Sequence, residues 1–517
     1  MSSRAALAIG VAALTVATSG CTVANSGRGG YDPGTLRIVL SQEPPTLEPC
    51  ESSLTSTGIV VRSNITEPLV ERDPNSGDLQ PLLSTGWRQT SPTRWTFDIR
   101  TGVTFSNGAP FTAADAAFAV DRAVNSDLQC NVDGYVFGDE KLEVSAPNDT
   151  TLTIDTEKPD PILPLRISFV EIVPRSTSTT EKVREPIGTG PYAIANWDFG
   201  QKLTLARNPA YWGPKPAFAR AEYQWRSEGS VRAAMITNDE TDIATGLGPE
   251  DGAGALGVPF QNNETTALRM QATEPPLNDI RVRQAINYAV NRTGIVKALF
   301  RGLGEPASQL IPSGVVGYND QLPLWPHDAE KARALVAEAK ADGVPVDTQI
   351  RLIGRTAQFP KIAETIEVIQ SELADIGLNV KIEMMDTASQ LQYQLRPFPA
   401  GTGPYLLMIM HGNQAGDAAF TMDQYMLSDG PQAAYGTKAF DEKIRAAEAL
   451  TGEPRQDAFA KLFAEEPRDI MQMAYLAHMK GILGKSPRVD YVPNSATGDE
   501  MRLGEMTPSG TDRTDAQ

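Results

Sequence analysis

Histidine side chains are the first candidates for chemistry in this sequence, because imidazole serves as a general base and as a metal ligand near neutral pH. The sequence has three, His327, His411 and His478, which stand far apart and outside any H-E-x-x-H pair. That pair is the spacing at which two histidines of one helix bind zinc. The G-x-S-x-G sequence of a serine nucleophile is also absent. Neither a zinc protease nor a serine esterase of this type is indicated.

Two further segments contain only part of a ligand-binding loop. The segment GILGKS (residues 481–486) ends like a phosphate-binding loop, but the first glycine of that loop would fall on Met479. The acidic run at residues 238–242 lacks the glycine and the alternate oxygen ligands of a calcium loop. Both segments are typical of solvated turns, and we expect no cofactor and no metal. An exported hydrolase that uses two carboxylates stays open as an alternative.

The charge balance argues against nucleic acid as a partner. The sequence has 46 Lys and Arg residues against 64 Asp and Glu residues, a formal net charge of −18. Phosphate backbones are bound by patches of Lys and Arg, and the sequence contains no such patch. With 517 residues, 43 Gly and 38 Pro, the chain is long enough for two or three lobes connected by many turns.

The first residues indicate export. One arginine in MSSR is followed by a small apolar run over residues 5–17 and by Thr18-Ser19-Gly20-Cys21, which is the order of a secretory signal. A cysteine directly after small residues resembles the lipobox of bacterial lipoproteins, whose thiol is acylated. We expect a signal peptide over residues 1–20 and a lipid anchor on Cys21, which would hold the body outside the cytoplasm on the bacterial cell membrane. A simple cleaved signal is the alternative.

Cys50 and Cys130 remain once Cys21 is set aside. An even pair in an exported protein predicts a disulfide. Closing a loop of about 80 residues would stabilise the fold by about 4 kcal/mol. Two buried free thiols are the alternative.

Apolar periodicity predicts the elements that must position any site. Residues 35–40 (TLRIVL) and 94–99 (RWTFDI) alternate as strands do, and Asn107-Gly108 is typical of a turn. Thr112 and Asn291 are suitable N-caps for the helical segments that follow them.

The clearest helix and strand pair lies in the second half of the chain. Apolar residues recur every three or four positions over residues 362–376, Gly377 is placed to end that helix, and LNVKIEM (residues 378–384) alternates as a strand. The run YLLMIM (residues 405–410) is continuously apolar, as in a strand that is buried on both faces. Helix-then-strand units of this kind indicate an α/β lobe.

The stretch IGTGPYAIANWDFGQKLTLARNPAYWG (residues 187–213) is dense in glycine, proline, tyrosine and tryptophan. It does not suit a phosphate loop, because proline lacks an amide donor and the alternating QKLTLAR segment predicts a strand instead of a helix. Its glycines and prolines are typical of turns, and Tyr192, Trp197, Tyr211 and Trp212 are expected to be packing anchors.

Together these segments resemble the extracytoplasmic solute-binding proteins of peptide- and nickel-type ABC importers, called family 5 or cluster C. Residues 187–213 are similar to that family's GTGPY…W…G…L…NPDYWG signature, and the resemblance covers roughly residues 36–480. Five more segments follow the order of the family: EPPTLEP, TEPLVERDPNSGDLQPLLSTGW, RWTFDIRTGVTFSNGAPFTAADAAFAVDRA, the NDETDIA turn, and PPLNDIRVRQAINYAVNRTGIVKALFRGLGEPA.

The resemblance implies an α/β, two-lobed periplasmic-binding-protein-like fold (type II, cluster C) with an extra subdomain in the larger lobe. Two chain crossings would form a hinge between the lobes. By this likeness residues 36–70, 186–265 and 481–505 form the main part of lobe I, 71–185 its subdomain and 266–480 lobe II. The signal peptide (1–20) and the lipid-anchored tether (21–35) precede them, and a flexible tail (506–517) follows.

The resemblance also suggests where a solute is held. Peptide-binding members anchor the ligand amine on an aspartate, and here the corresponding position falls on Asn413 or Gln414, so this anchor is missing or displaced to Asp417. A free N-terminal amine on the ligand is therefore in doubt. Arg355 lies near the arginine that grips a carboxylate in dipeptide-type members. The other residues placed at the cleft by this likeness are Ser41, Gln42, Glu43, His411 and Gly412.

The function implied is that of a solute-binding receptor of an ABC importer, not an enzyme. It would act as a monomer that delivers short peptides or peptide-like acids to a membrane permease. A non-peptide solute such as an opine, a sugar or a chelated metal is the alternative ligand, and a non-transport scaffold lipoprotein is an alternative of another class. Arg355 as a surface residue and His411 as a core residue also remain open.

Overall fold

The structure is a computed structural model that describes residues 32–52, 55–138, 140–251, 254–356, 358–494, 496–497 and 501–510. The chain divides into two units, Met1–Pro33 and Gly34–Gln517, and the fold described below is that of the second. The expected signal peptide (residues 1–20) and Cys21 lie outside the described residues, as do most of the expected tether and the last seven positions of the expected tail.

The strands of the described residues form one large mixed sheet and three smaller sheets. In chain order they are β1 (Thr35–Leu40), β2 (Val70–Arg72), β3 (Leu79–Pro81), β4 (Ser84–Ser91), β5 (Arg94–Ile99), β6 (Leu142–Asn148), β7 (Thr151–Thr156), β8 (Tyr192–Asp198), β9 (Lys202–Arg207), β10 (Arg220–Trp225), β11 (Ile243–Ala244), β12 (Gly257–Met270), β13 (Gly304–Pro306), β14 (Ile350–Arg355), β15 (Val380–Met385), β16 (Tyr405–Gly412), β17 (Met473–Lys485), β18 (Val489–Asp490) and β19 (Thr507–Pro508).

The α-helices of the described residues are short to medium in length. They are α1 (Thr55–Val61), α2 (Ala113–Val124), α3 (Leu163–Ile167), α4 (Gly229–Thr237), α5 (Ile280–Ala289), α6 (Arg292–Ile295), α7 (Ala329–Ala341), α8 (Ile362–Asp375), α9 (Thr387–Gln394), α10 (Ala418–Thr421), α11 (Lys438–Glu448) and α12 (Gly452–Glu465). Across the described ranges, none of the helices combines the length and apolar character needed to cross a membrane.

The large sheet runs through the whole body in the order β15-β14-β16-β12-β17-β11-β1-β10-β9-β8, with β13 beside β17. Its two longest strands, β12 and β17, are antiparallel and lie in the middle, so they join the β14–β16 side to the β1–β10 side. The lobe limits expected at residues 265 and 480 fall inside these two strands. The limits themselves stay a prediction.

A separate antiparallel sheet, β4-β5-β7-β6, packs with α2 around its own core. Phe97, Val120, Leu152 and Ile154 are among the fully buried side chains of this core. Cys50 and Cys130 lie in the same core, where their sulfur atoms are bonded and their Cα atoms are 5.3 Å apart.

The periodic segments fold as their patterns predict. The helix expected from residue 362 is confirmed as α8, and Gly377 follows it with a φ of +91°, a left-handed value that favours glycine. The run at residues 405–410 is confirmed as part of β16. Leu406 and Met408 face one apolar core while Leu407 and Ile409 face another.

The predicted helix caps are also confirmed. The Thr112 side chain and backbone N–H both donate to Oδ2 of Asp115 at the start of α2, at 2.8 and 3.1 Å. At the start of α6, Asn291 Oδ1 accepts from the Gly294 N–H at 2.9 Å. The helix expected after Asn291 continues beyond α6 as a π-helical turn over Val296–Phe300.

Candidate functional site

A cavity of about 280 Å³ lies where β12 and β17 pass between the two sides of the large sheet. Its walls come from these two strands, from the end of β16, and from the loops that precede α8 and follow β1 and β11. The lining residues are Ser41, Ile59, Thr245, Gly246, Leu247, Pro249, Phe260, Asn262, Glu264, Phe300, Leu303, Gln358, Phe359, Pro360, Met410, Gln414, Met479, Lys480, Gly481, Ile482, Leu483 and Met501.

Most of this lining is apolar, and three phenylalanines, Phe260, Phe300 and Phe359, stand among aliphatic and methionine side chains. Small-molecule sites in proteins are concave and mainly apolar, with a few polar groups that orient the ligand. The volume of about 280 Å³ lies just below the roughly 300–1,000 Å³ range of such sites. The cavity therefore suits a small organic solute with an apolar body.

Glu264 is the acidic residue of this lining. It stands on β12 opposite Gly412 of β16, and its carboxylate Oε2 accepts a hydrogen bond of 2.8 Å from Nδ2 of Asn262. Among the described residues, no Lys, Arg or His nitrogen lies within the 4.0 Å of an ion pair with it. Burial raises the pKa of Glu264 to about 7, and the positive charge of Arg355 opposes that rise.

Arg355, at the end of β14, is half-buried near Glu264 without touching it. Within the described ranges, its guanidinium makes no hydrogen bond and no ion pair. Burial lowers its pKa, and the charge of Glu264 acts in the opposite direction. Arg355 and Glu264 are thus two opposite charges within electrostatic range of each other. Neither is neutralised by direct contact.

Lys480 of β17 is the basic residue of the lining, and it is already paired. Its ammonium donates to Oε1 of Glu305 at 2.6 Å. The Lys480 ammonium is therefore already paired with an acid.

Two loops meet over the cavity, one after β11 and one before α8. Oε2 of Glu250 lies 2.8 Å from Nζ of Lys361, and its Oε1 lies 3.4 Å from a guanidinium nitrogen of Arg301. A side-chain carbon placed on Gly248 would stand 3.4 Å from Cβ of Pro360. The two loops are therefore in contact, and an ion-pair cluster links them.

Of the nine residues placed at the cleft by the sequence, Ser41 and Gln414 line this cavity. Gln42 is exposed beside Ser41. Glu43 is engaged elsewhere, because its Oε1 accepts from the indole Nε1 of Trp197 at 2.9 Å and from the Gly200 N–H at 3.0 Å. Glu43 thus holds the β8–β9 turn.

His411 and Asn413 are buried away from the cavity. The His411 Nε2 and the Thr421 hydroxyl are 2.8 Å apart, and the His411 ring packs edge-on against Tyr425. Burial lowers the pKa of His411 to about 3. The Asn413 amide donates to the carbonyls of Asn263 and Leu310 at 3.1 and 3.2 Å. These contacts tie the end of β16 to its neighbours.

Asp417 forms a buried, two-pronged ion pair with Arg455. Its Oδ1 and Oδ2 accept from the guanidinium at 2.7 and 2.8 Å, and both side chains are almost fully buried. Oδ1 also caps α10 by accepting from the Ala419 N–H at 2.9 Å. Gly412 is half-buried at the end of β16. The binding roles of all nine residues stay predictions.

Sequence reasoning missed Glu264, Asn262 and the phenylalanines of the wall. A faint signal exists for Glu264, because it is the single acidic residue of the segment NNETTALRM. No group of three or more His, Cys, Asp and Glu side chains that could hold a metal is found among the described residues.

Comparisons with known proteins agree with this geometry. A sequence profile described as "Bacterial extracellular solute-binding proteins, family 5 Middle" matches residues 78–433. The Dipeptide-binding protein of Escherichia coli (strain K12) is 28% identical over 349 residues, 61% of this chain and 65% of that protein. The chain thus spans slightly less than two thirds of that relative. Di/tripeptide-binding protein 2 of Pseudomonas aeruginosa (strain UCBPP-PA14) is 25% identical over 484 residues, 86% of this chain and 90% of that protein.

Among solved structures, the periplasmic binding protein DppA from Helicobacter pylori, in complex with peptide STSA, superposes with a TM-score of 0.78. The match has 19% identity and covers 92% of this chain and 98% of that one. The fold therefore defines a two-lobed α/β protein of the periplasmic-binding class. The chain belongs to the bacterial extracellular solute-binding proteins, family 5, whose members act outside the cytoplasm.

Proposed function

We propose that this protein is the solute receptor of an ABC importer and that it captures short peptides or peptide-like acids. The observation that carries the proposal is the cavity between β12, β17 and the two covering loops, lined by apolar side chains with a few polar groups. The names of the E. coli and P. aeruginosa relatives, which bind dipeptides and di- or tripeptides, support the same ligand class. A cavity of about 280 Å³ suits a short peptide better than a long one.

The proposed mechanism is capture by closure and requires no covalent chemistry. A solute that contacts both sides of the cavity favours the closed form by its differential affinity, and the permease then recognises that form. The Glu250–Lys361 contact supports this mechanism, because it joins the two loops that cover the cavity.

We also propose that the protein is not an enzyme. Among the described residues of the cavity lining, Glu264 is accompanied by neither a second carboxylate nor a histidine that could share acid–base work with it. That composition favours binding over hydrolysis.

The lipid anchor on Cys21 and the lobe limits given above belong to the same proposal. Cys21→Ala should move the protein from the membrane fraction to the soluble fraction, since acyl chains hold a protein to a bilayer by about 0.8 kcal/mol per buried methylene. An unchanged membrane fraction would reject the anchor.

The ligand proposal is tested by mass spectrometry of solutes released from the denatured, purified protein. A set of short peptides supports it. One defined non-peptide compound supports the alternative, an opine, sugar or chelated metal, and the absence of any solute favours a scaffold lipoprotein.

A further inference from the structure

The cavity leaves open which group holds the positively charged end of a solute. Asn413 and Gln414 are uncharged, and the Asp417 carboxylate is already paired with the buried guanidinium of Arg455. None of these three side chains itself offers an ammonium an unpaired carboxylate. If the solute has a positively charged group, the carboxylate that binds this group must come from another element of the fold.

Glu264 meets the physical requirements for such an anchor. It lines the cavity and is half-buried. Its carboxylate accepts a bond from a neutral amide, that of Asn262, and keeps acceptor capacity for another donor. Within the described part of the chain, no cation stands within ion-pair distance of it.

None of the described charged groups around Glu264 forms an ion pair with its carboxylate, so that pairing is left to a ligand. Arg355 on β14 is near but not in contact, and Lys480 on β17 is tied to Glu305. On β16, His411 is turned to Thr421 in the core. A hydrogen bond from a charged donor stabilises a buried carboxylate most strongly when both groups lie in the same low-dielectric space.

We propose that Glu264 anchors the ammonium group of a cationic or zwitterionic solute whose apolar body packs against the phenylalanine wall. This inference rests on the proposed solute-binding function and names the chemical class of its ligand. Burial raises the pKa of Glu264, and a bound ammonium would lower it again by favouring the ionised carboxyl.

The test uses the full chain and two probes that differ only at the amine, L-leucyl-L-leucine and N-acetyl-L-leucyl-L-leucine. Calorimetry at pH 7.5 compares the wild type with Glu264→Gln, which keeps the shape of the side chain but removes its charge. Glu367→Gln, on the exposed face of α8, is the matched control because it removes the same charge at a distance from the cavity. Circular dichroism confirms that each variant is folded.

We expect the wild type and Glu367→Gln to bind the free dipeptide at least about tenfold more tightly than the acetylated one, since a charge-assisted hydrogen bond is lost. Glu264→Gln should lose that preference. A preference that survives in Glu264→Gln, or equal binding of both probes by the wild type, overturns the inference and leaves the receptor function standing.

A second measurement separates this result from failure of the function itself. Immobilised protein is incubated with a tryptic casein digest, and the retained solutes are identified by mass spectrometry after denaturation. The inference is supported if the wild type retains peptides with free amines and the amount retained by Glu264→Gln is lower by at least about tenfold. If the wild type retains nothing and binds neither probe, the receptor function falls and the inference falls with it.

Discussion

The indole of Trp212 donates a 2.9 Å hydrogen bond from Nε1 to Oε2 of Glu67. The same carboxyl accepts from the hydroxyls of Thr189 at 2.7 Å and Tyr211 at 3.0 Å. Three side chains of residues 187–213 therefore converge on one buried acid that precedes β2. That stretch, conspicuous in the sequence for its glycines and aromatic residues, folds around Glu67. The expected packing role of Tyr211 and Trp212 is accompanied by a polar one.

Glu67 should make the stability of the fold depend on pH. Burial raises its pKa from 4.5 to about 7, so between these values the folded state binds more protons than the unfolded state. Its contribution to the free energy of unfolding is therefore largest below pH 4.5 and is lost as pH rises through 7. A change of up to about 3 kcal/mol is expected over that interval.

Urea unfolding at pH 5 and pH 7.5 measures this effect. Glu67→Gln should reduce the difference in unfolding free energy between the two pH values, whereas Glu367→Gln, at an exposed position, should not. Identical pH differences in the wild type and Glu67→Gln would refute the assignment. Glu264 and Glu466, whose pKa values burial also raises to about 7, act in the same direction and remain in both variants.

The sequence predicts what type of role the glycines around Thr189 play, but not which residues they contact. A side-chain carbon on Gly188 would stand 2.1 Å from the Ile65 carbonyl oxygen, and one on Gly190 would stand 2.7 Å from that of Asn64. The sequence predicts turns and packing here, because glycine tolerates close backbone approach. It cannot name the partners, since residues 64–67 lie more than a hundred positions away and only the folded chain brings them together.

The same limit applies to the cavity. Local periodicity predicts β5, α8, β15 and β16 correctly, because each pattern is complete within one segment. Glu264 becomes a cavity residue only because β12 lies between β16 and β17, and this long-range pairing leaves no local signal. Ser41 and Gln414 line the cavity at positions suggested by family likeness.

The Cys50–Cys130 bond should contribute strongly to the stability of the region around the β4–β7 sheet. The two residues are 80 positions apart, and in the chain-entropy account a cross-link of that length stabilises the fold by about 4 kcal/mol. The double variant Cys50→Ser/Cys130→Ser should therefore unfold at lower urea concentration. The wild type in dithiothreitol should approach the variant, while dithiothreitol should leave the variant itself unchanged. Equal midpoints for all samples would contradict the prediction.

Asp417 should act on stability far more than on ligand affinity. Asp417→Asn removes one partner of a buried ion pair and leaves the Arg455 charge uncompensated, which costs about 3–5 kcal/mol. Thermal unfolding should report this loss. At a temperature where the variant is fully folded, its affinity for leucyl-leucine should match that of the wild type. Selective loss of affinity without loss of stability would instead make Asp417 the amine anchor.

The Glu250 cluster should favour the form in which the two covering loops touch. Glu250→Lys places three cations together with Arg301 and Lys361, so the loops should separate and the dissociation constant for leucyl-leucine should rise. The cluster is exposed to solvent, so only a few-fold change is expected, and added salt should weaken it. The double reversal Glu250→Lys/Lys361→Glu should restore part of the affinity. No recovery in the double variant would exclude a direct charge interaction.

Glu264 should also set the pH dependence of binding. Its pKa of about 7 means that it ionises between pH 5.5 and 7.5, whereas an α-ammonium loses its proton near pH 7.7–8.0. Affinity for leucyl-leucine should therefore rise by about tenfold or more over the first interval and fall above pH 8. Burial lowers the pKa of His411 to about 3 and that of His478 to about 4, so neither histidine accounts for a change in this range. Calorimetry across pH should show the rise in affinity between pH 5.5 and 7.5 in the wild type and in Glu367→Gln but not in Glu264→Gln. A rise that persists in Glu264→Gln would assign the titration to another group.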